Sequence, residues 1–289
     1  MTLLAIPNVS EGRDRNCVSA LVRAAASSGA AVVDVHADPT HNRSVLTTVG
    51  DRDVLTAGMT SLARACHDID LTRHMGVHPR LGALDVCPVV PHDEPMPGAV
   101  SCALEIADAI GDEVGLPVYL YGAAAARPET RSLSLLRRGG LSGLMRSAEQ
   151  GLVPDRGPAR IDPRHGVVCV GARDVLIAFN VWLRCPVEQA AEIASKVRES
   201  GGGLPGVRAL GLAIDAGTSQ VSMNLARPEV TGIDPAYDAV AALAAGRGIE
   251  IIATEVVGVP PQKFLPDPRR EAARLLIQPG RSLESVLPR

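Results

Sequence analysis

Two histidines four residues apart lie in the segment 74–85, HMGVHPRLGALD, together with a proline, an arginine and an aspartate. His78 precedes Pro79, and a proline favours extended backbone at the residue before it. An imidazole held in this way, with a pKa near neutrality, is suited to general acid–base catalysis. Arg80 would point to the same side in an extended segment, where its guanidinium could bind a carboxylate. On the residues alone, a histidine and an arginine that cap a helix end and bond to the backbone are the favoured alternative.

A metal site is the other chemistry that paired histidines suggest. His74 and His78 have the i, i+4 spacing that places two ligands on one face of a helix. However, Gly76 and Pro79 disfavour a continuous helix at this point. The six cysteines are scattered and include no CxxC pair, which is typical of small buried residues rather than of ligands. We therefore expect no metal.

Further polar candidates lie within or beside predicted strands. Asn8 belongs to PNVSEGR, which follows the first strand, and Asn42 and Arg43 belong to the turn before the third strand. Asn180 and Asn224 interrupt apolar strands of the second half, where a buried amide needs a hydrogen-bond partner. Asn8, Asn42 and Arg43 could contact a ligand or serve a turn or a helix cap. For Asn180 and Asn224 the partner could be a ligand or a backbone group.

The elements that must position these residues follow one order twice. In the first half, strands are predicted at 3–6, 31–35, 45–49 and 84–90, with helices at 17–28 and 54–70. In the second half, strands are predicted at 175–183, 207–214, 220–225 and 249–257, with helices at 186–200 and 235–245. Both halves have the order β-α-β-β-α-β. We predict an α/β (α+β) protein with two ferredoxin-like βαββαβ subdomains and a ligand cleft between them.

The subdomains are predicted to span residues 1–173 and 174–289, joined near residues 166–174. A helix at 100–113 and a strand at 117–121 should extend the first subdomain, and a last helix is expected at 269–276. The stretch 127–165 is rich in Arg, Gly and Pro and should hold short helices. We expect His36 and His41, which flank a turn, to be exposed.

Composition and charge exclude several classes of partner. The formal net charge is −3, so there is no basic excess to attract nucleic acid. We find neither an apolar run long enough to span a membrane nor the pattern of a signal peptide. The prediction is a cytoplasmic protein without nucleic-acid or membrane partners.

Seven strings, in the same order, resemble the formiminotransferase family and span nearly the whole chain. They are PNVSEGR, ADPTHNRSVLTTVG, HPRLGALDVCPVV, LPVYLYG, GARDVLIAFNV, RESGGGLPGVRALG and QVSMNL. The resemblance is to monofunctional glutamate formimidoyltransferases, without a cyclodeaminase domain. It implies transfer of a formimino group from N-formimino-L-glutamate to tetrahydrofolate, which gives 5-formimino-tetrahydrofolate and glutamate.

The resemblance also assigns roles to residues. It places the catalytic proton carrier at His78, with Arg43 and Arg80 as clamps for anionic substrates. The folate-contacting segment would be Gly157, Pro158, Ala159, Arg160, Ile161, Asp162, Pro163, Arg164, His165 and Gly166. Tetrahydrofolate would be a co-substrate, no metal would be needed, and a homodimer is possible.

Two alternatives stay open. Val77, His36 and Ala123 stand where the family commonly has acidic residues, and Arg156 stands where it has phenylalanine. These departures allow a diverged folate-dependent transferase with a different one-carbon or amidine donor. The other alternative is a non-catalytic folate-binding protein.

Overall fold

The computed structural model describes residues 1–76 and 79–287. The chain divides into two compact units, Met1–Asp174 and Val175–Arg289. Each unit has its own sheet and its own hydrophobic core. The α+β class predicted from the sequence is therefore confirmed.

The first unit contains a seven-stranded mixed sheet and helices that pack against it. Its strands are β1 (Leu3–Ala5), β2 (Asn8–Val9), β3 (Ala31–Asp38), β4 (Arg43–Gly50), β5 (Leu84–Pro91), β6 (Val118–Gly122) and β7 (Val168–Ala172). Its α-helices are α1 (Arg15–Ala26), α2 (Arg52–Ala65), α3 (Met96–Ala109), α4 (Leu133–Leu136) and α5 (Gly140–Glu149).

The strand order of this sheet is ferredoxin-like at one side. Both β1 and β2 pair with β4 and β5, so they act as one strand interrupted near Pro7. The order β3, β4, β1/β2, β5 is that of a ferredoxin-like βαββαβ unit, with antiparallel neighbours. Beyond β5, the parallel strands β7 and β6 extend the sheet.

Two helices of the first unit, α1 and α2, begin where an aspartate side chain caps them. The Asp14 carboxylate accepts from the backbone N–H groups of Asn16 (2.8 Å) and Cys17 (3.2 Å) and so caps α1. Asp51 caps α2 in the same way, accepting from the Val54 N–H at 3.0 Å. The capped ends fix where the loops before α1 and α2 meet the sheet.

Alternating strand residues supply two cores on opposite faces of the first sheet. On β6, Val118 and Leu120 face the core with α1, α2 and α3, whereas Tyr119 and Tyr121 belong to a second cluster with Leu136. This second cluster anchors α4 and α5 on the other face. The polar side chains of the candidate site lie at the start of β5, close to this second cluster.

Residues 166–174 contain a strand, β7, that was not predicted from the sequence. We expected the connection between subdomains there, but Val168–Ala172 is a fully buried strand between β5 and β6. Its run VCVGA lacks alternation because a central parallel strand is buried on both faces. The chain leaves the first unit only after this strand.

The second unit repeats the ferredoxin-like order. Its strands are β8 (Ile177–Leu183), β9 (Val207–Ala213), β10 (Ser219–Leu225) and β11 (Ile251–Val257). Its α-helices are α6 (Val187–Val197), α7 (Ile233–Ala245), α8 (Glu271–Arg274) and α9 (Leu283–Val286). The strands form an antiparallel sheet in the order β11-β8-β10-β9. The last predicted helix is shorter than expected, since α8 is a single turn.

No helix in the described part of the chain combines the length and the apolar character needed to cross a membrane.

Candidate active site

A buried carboxylate, Asp85, holds two arginines at the start of β5. Its Oδ2 accepts from Arg43 Nη1 at 2.6 Å and also from Arg137 Nη2, while its Oδ1 accepts from the Leu81 N–H at 2.7 Å. Arg43 directs its other donors at Asn8 Oδ1, from Nε at 3.0 Å and from Nη2 at 2.8 Å. We call Asn8, Arg43, Asp85 and Arg137 the arginine cluster.

Charge pairing dominates the electrostatics of the arginine cluster. Burial raises the pKa of the Asp85 carboxyl, but Arg137 and Arg43 outweigh this effect and hold that pKa well below its ordinary value. Burial lowers the pKa of Arg43, and the charge of Asp85 opposes that change. Asp85 is therefore ionised at neutral pH, and two guanidinium groups share one carboxylate.

Asn42 ties three segments together beside the cluster. It is buried and has a positive φ of 47°, a region that asparagine enters more readily than most residues. Its Oδ1 accepts from the Gly12 N–H at 3.0 Å, and its Nδ2 donates to the Met75 carbonyl at 3.0 Å. The loop before α1 and the start of the segment 74–85 are therefore held against the turn before β4.

Arg80 lies against His74. Its Nη1 contacts both ring nitrogens, at 3.2 Å for Nε2, and its Nη2 donates to the His41 carbonyl at 3.2 Å. Burial lowers the pKa of His74 to about 4, and the charge of Arg80 adds to this effect. His74 is thus neutral at physiological pH. Residues 74–76 and 79–80 are not helical, as expected from Gly76 and Pro79.

The expectation that His41 is exposed is wrong. Its side chain is buried, and Nδ1 contacts the Asp38 carboxylate. Asp38 also accepts from the backbone N–H groups of Thr40 (2.7 Å) and His41 (2.9 Å), which folds the turn back on itself. His36 is half-buried on β3.

The segment Gly157–Gly166 packs beside both ends of the loop that carries the histidines. The ring of His165 stacks on that of His67 with centroids 4.2 Å apart. The Ala83 N–H donates to the His165 carbonyl at 2.9 Å, and the Leu71 N–H donates to the Arg164 carbonyl at 2.8 Å. These contacts fix the segment against residues 67–71 and 81–83.

Most side chains of this segment remain open to solvent. Exposed residues are Gly157, Pro158, Ala159, Arg160, Asp162, Pro163 and Arg164. Buried residues are Ile161, His165 and Gly166, and both terminal glycines have positive φ, 73° at Gly157 and 68° at Gly166. Just before the segment, Arg156 directs its Nε at Asp108 of α3.

A cavity of about 740 Å³ opens beside Asn42 and His74 in the first unit. It is lined by the loop before α1, by α1 itself and by residues 68–75, with Glu11 and Arg13 among the charged groups. Its walls mix acidic and basic side chains, so it suits a polar ligand rather than an apolar one.

The two asparagines of the second unit differ from each other. Asn180 on β8 is buried, and its Nδ2 donates to Glu255 Oε2 at 2.9 Å across to β11. Asn224 on β10 is exposed. Asn180 therefore has the partner that a buried amide needs.

The structure brings Asn8 and Arg43 together beside Asp85, and the charge of Arg80 also acts on Arg43. His78 lies outside the described residues. Asp85 and Arg137, which hold this arrangement together, were not among the candidate residues predicted from the sequence. Asp85 ends the HPRLGALD string and could have been noticed there, whereas Arg137 lies in a weakly patterned stretch that gave no signal.

Comparisons with known proteins found matches over most of the chain. Residues 2–173 match the family described as formiminotransferase domain, N-terminal subdomain, and residues 178–277 match the formiminotransferase domain. The glutamate formimidoyltransferase of Streptococcus pyogenes serotype M1 is 38% identical over 268 residues, which cover 91% of this chain and 90% of that protein. The glutamate formimidoyltransferase of Thermoplasma acidophilum is 39% identical over 270 residues, with coverages of 91% and 89%. The formimidoyltransferase-cyclodeaminase of Sus scrofa is 38% identical over 273 residues, which cover only 50% of that protein.

Proposed function

This chain belongs to the formiminotransferase family, and we propose that it transfers a formimino group from N-formimino-L-glutamate to tetrahydrofolate. The products are 5-formimino-tetrahydrofolate and glutamate. The observation that carries the proposal is the match over nearly the full length of single-function relatives, 38% identical across 91% of this chain and 90% of the Streptococcus pyogenes protein. Tetrahydrofolate is a co-substrate in this reaction.

The reaction needs one group that moves a proton between two amines. The N5 amine of tetrahydrofolate attacks the formimino carbon, and a tetrahedral intermediate forms. The bond from that carbon to the glutamate nitrogen then breaks. We assign His78 as the carrier that removes the proton from the attacking amine and delivers it to the leaving nitrogen.

The electrostatics of the loop disfavour His74 in this role. His74 has a pKa of about 4, so its conjugate acid is scarcely populated near neutral pH. A proton carrier works best when its pKa lies near the operating pH. The proposal therefore predicts that the two histidines of this loop are not interchangeable.

The substrate contacts divide into supporting and binding residues. Arg43 has its donors engaged by Asn8 and Asp85, so we assign Asn8 and Arg43 to positioning the loop rather than to clamping a substrate. The exposed side chains of Gly157–Gly166 are proposed to contact folate. Asn42, Arg80, Asn180 and Asn224 remain proposed substrate-binding residues.

Turnover by the purified chain tests the proposal. The assay follows 5-formimino-tetrahydrofolate formation from tetrahydrofolate and N-formimino-L-glutamate, with N-formyl-L-glutamate and formiminoglycine as competing donors. A clear preference for formiminoglutamate supports the proposal. A preference for another donor supports the diverged transferase instead, and folate binding without turnover on any donor supports the non-catalytic alternative.

The predictions about metal, cellular location, oligomeric state and macromolecular partners rest on the sequence. In residues 1–76 and 79–287, no three His, Cys, Asp or Glu side chains gather in a way that could hold a metal ion; that the reaction needs none stays a prediction. Action in the cytoplasm, a homodimer, and the lack of nucleic-acid and membrane partners also stay predictions.

A further inference from the structure

Arg137 has a buried donor without a hydrogen-bond partner among residues 1–76 and 79–287. Each guanidinium nitrogen of Arg43 donates a hydrogen bond, two of them to Asn8 and one to Asp85. Arg137 differs, because Nη2 contacts Asp85 while Nε is buried and has no hydrogen-bond partner in the described part of the chain. A charged donor left without an acceptor is costly, so such a group points to an absent acceptor.

The charge around this donor is positive. Asp85 can neutralise one guanidinium, and both Arg43 and Arg137 contact it. The charge of Arg80 also acts on Arg43, so a third guanidinium lies near. The excess positive charge favours an anion beside Arg137.

Arg137 is also the most exposed of the charged side chains in the arginine cluster, since that of Arg43 is only 11% exposed. Its side chain is 20% exposed, whereas that of Asp85 is 0% exposed. Its backbone is fixed, because its N–H donates to the Leu133 carbonyl at 3.0 Å and the preceding Leu136 is buried in the core beneath α4. A guanidinium that Asp85 already holds through one nitrogen is preorganised for a second carboxylate.

We infer that Arg137 binds a carboxylate of a substrate, with Asp85 holding its guanidinium in place. The inference rests on the proposed function, in which both substrates carry glutamyl carboxylates. The carboxylate therefore comes either from the glutamyl donor or from the glutamyl tail of the folate. Nothing in the sequence pattern alone marks Arg137 for this role.

Steady-state kinetics of Arg137→Gln distinguish the two sources. If the donor supplies the carboxylate, KM for formiminoglutamate rises about 10- to 100-fold, as expected for the loss of a charge-assisted contact, and KM for tetrahydrofolate is unchanged. If the folate tail supplies it, KM rises instead for tetrahydrofolate, and more for its polyglutamylated form. In both cases kcat changes by less than about threefold, because a contact made equally in ground and transition states affects KM alone.

Two further variants separate binding from structure. Arg137→Lys keeps the charge and should recover part of the affinity, although it loses the planar fork. Arg138→Gln is the matched control, since Arg138 is the exposed neighbour and should leave both KM values unchanged. An Arg137→Gln protein with both KM values unchanged overturns the inference.

A binding measurement keeps the inference testable apart from turnover and from misfolding. Calorimetry with glutarate, and with neutral glutaramide as control, is made on the wild type and on the double variant Asp85→Asn/Arg137→Gln, which removes one charge of each sign. Glutarate binding by the wild type that is lost in the folded double variant supports the carboxylate site even if no formimino transfer occurs. Equal glutarate binding by both proteins overturns the site even if the proposed reaction is observed.

Discussion

Replacing Asp85 by asparagine removes the charge that holds the arginine cluster together and keeps its shape. The amide oxygen can still accept from the Leu81 N–H, which Asp85 Oδ1 binds at 2.7 Å. What is lost is the counter-charge of Arg43, whose side chain is only 11% exposed, and of Arg137, which is 20% exposed. The substitution therefore isolates the electrostatic contribution.

The expected cost of Asp85→Asn follows from this burial. Removing one partner of a buried ion pair costs about 3–5 kcal/mol, because the other charge stays buried without compensation. Water can still reach Arg137, so we expect the lower end of the range, about 3 kcal/mol. Since 1.4 kcal/mol is a factor of ten, the open population of the first unit should rise about 100-fold.

Hydrogen exchange of the amides in β4 and β5 measures this opening directly. Exchange should be about 100-fold faster in Asp85→Asn than in the wild type. The loss of stability should be smaller when Arg137→Gln is added, because that change removes one uncompensated charge. Asp112→Asn at an exposed position is the control and should change stability by less than about 0.5 kcal/mol. A cost of Asp85→Asn below about 1 kcal/mol would refute the account of a buried, charge-balanced cluster.

The remaining predictions concern the pH dependence of stability, the titration of His74 and the close backbone contact at Gly12. The stabilisation from Asp85 should be constant above about pH 5 and fall as the pH drops through about 4, because the unfolded carboxyl then binds a proton before the folded one does. His74 should titrate by NMR near pH 4, and Arg80→Met should raise that midpoint; a wild-type midpoint near the ordinary value would contradict its burial against Arg80. The lowered pKa of His74 also means that stability falls as the pH drops from about 6.5 towards 4. Gly12→Ala should destabilise the first unit by at least about 2 kcal/mol in urea unfolding, because the new Cβ would lie 2.6 Å from the backbone nitrogen of Arg43. Gly217→Ala, with nothing within 4 Å of the new Cβ, should be close to neutral.

Periodicity in the sequence was enough to predict the repeated βαββαβ order. Amphipathic helices and alternating strands recur in both halves, and each half forms a sheet with ferredoxin-like order. Strand β7 was missed because its apolar run Val168–Ala172 has no alternation and directly precedes the boundary between units. A buried parallel strand and an apolar connection look alike in a single sequence.

The candidate site was harder to predict than the fold, because its central contacts join residues that are far apart in the sequence. Asp85 and Arg137 are separated by 52 positions, and no local pattern relates them. Arg43 was expected to clamp a substrate, but its donors are taken by Asn8 and Asp85, which only the folded sheet brings together. Short motifs identified the loops of the site, whereas the pairing of its charges depends on strand register.

The most direct test of the central claim is a single assay of formimino transfer with the wild type and His78→Asn. The account predicts turnover of N-formimino-L-glutamate and tetrahydrofolate by the wild type. It also predicts a loss of about 10²–10⁴-fold in kcat for the variant, with folding and folate affinity retained. Unchanged turnover in His78→Asn would contradict the role of His78 as proton carrier, and no turnover by a folded, folate-binding wild type would contradict the proposed reaction.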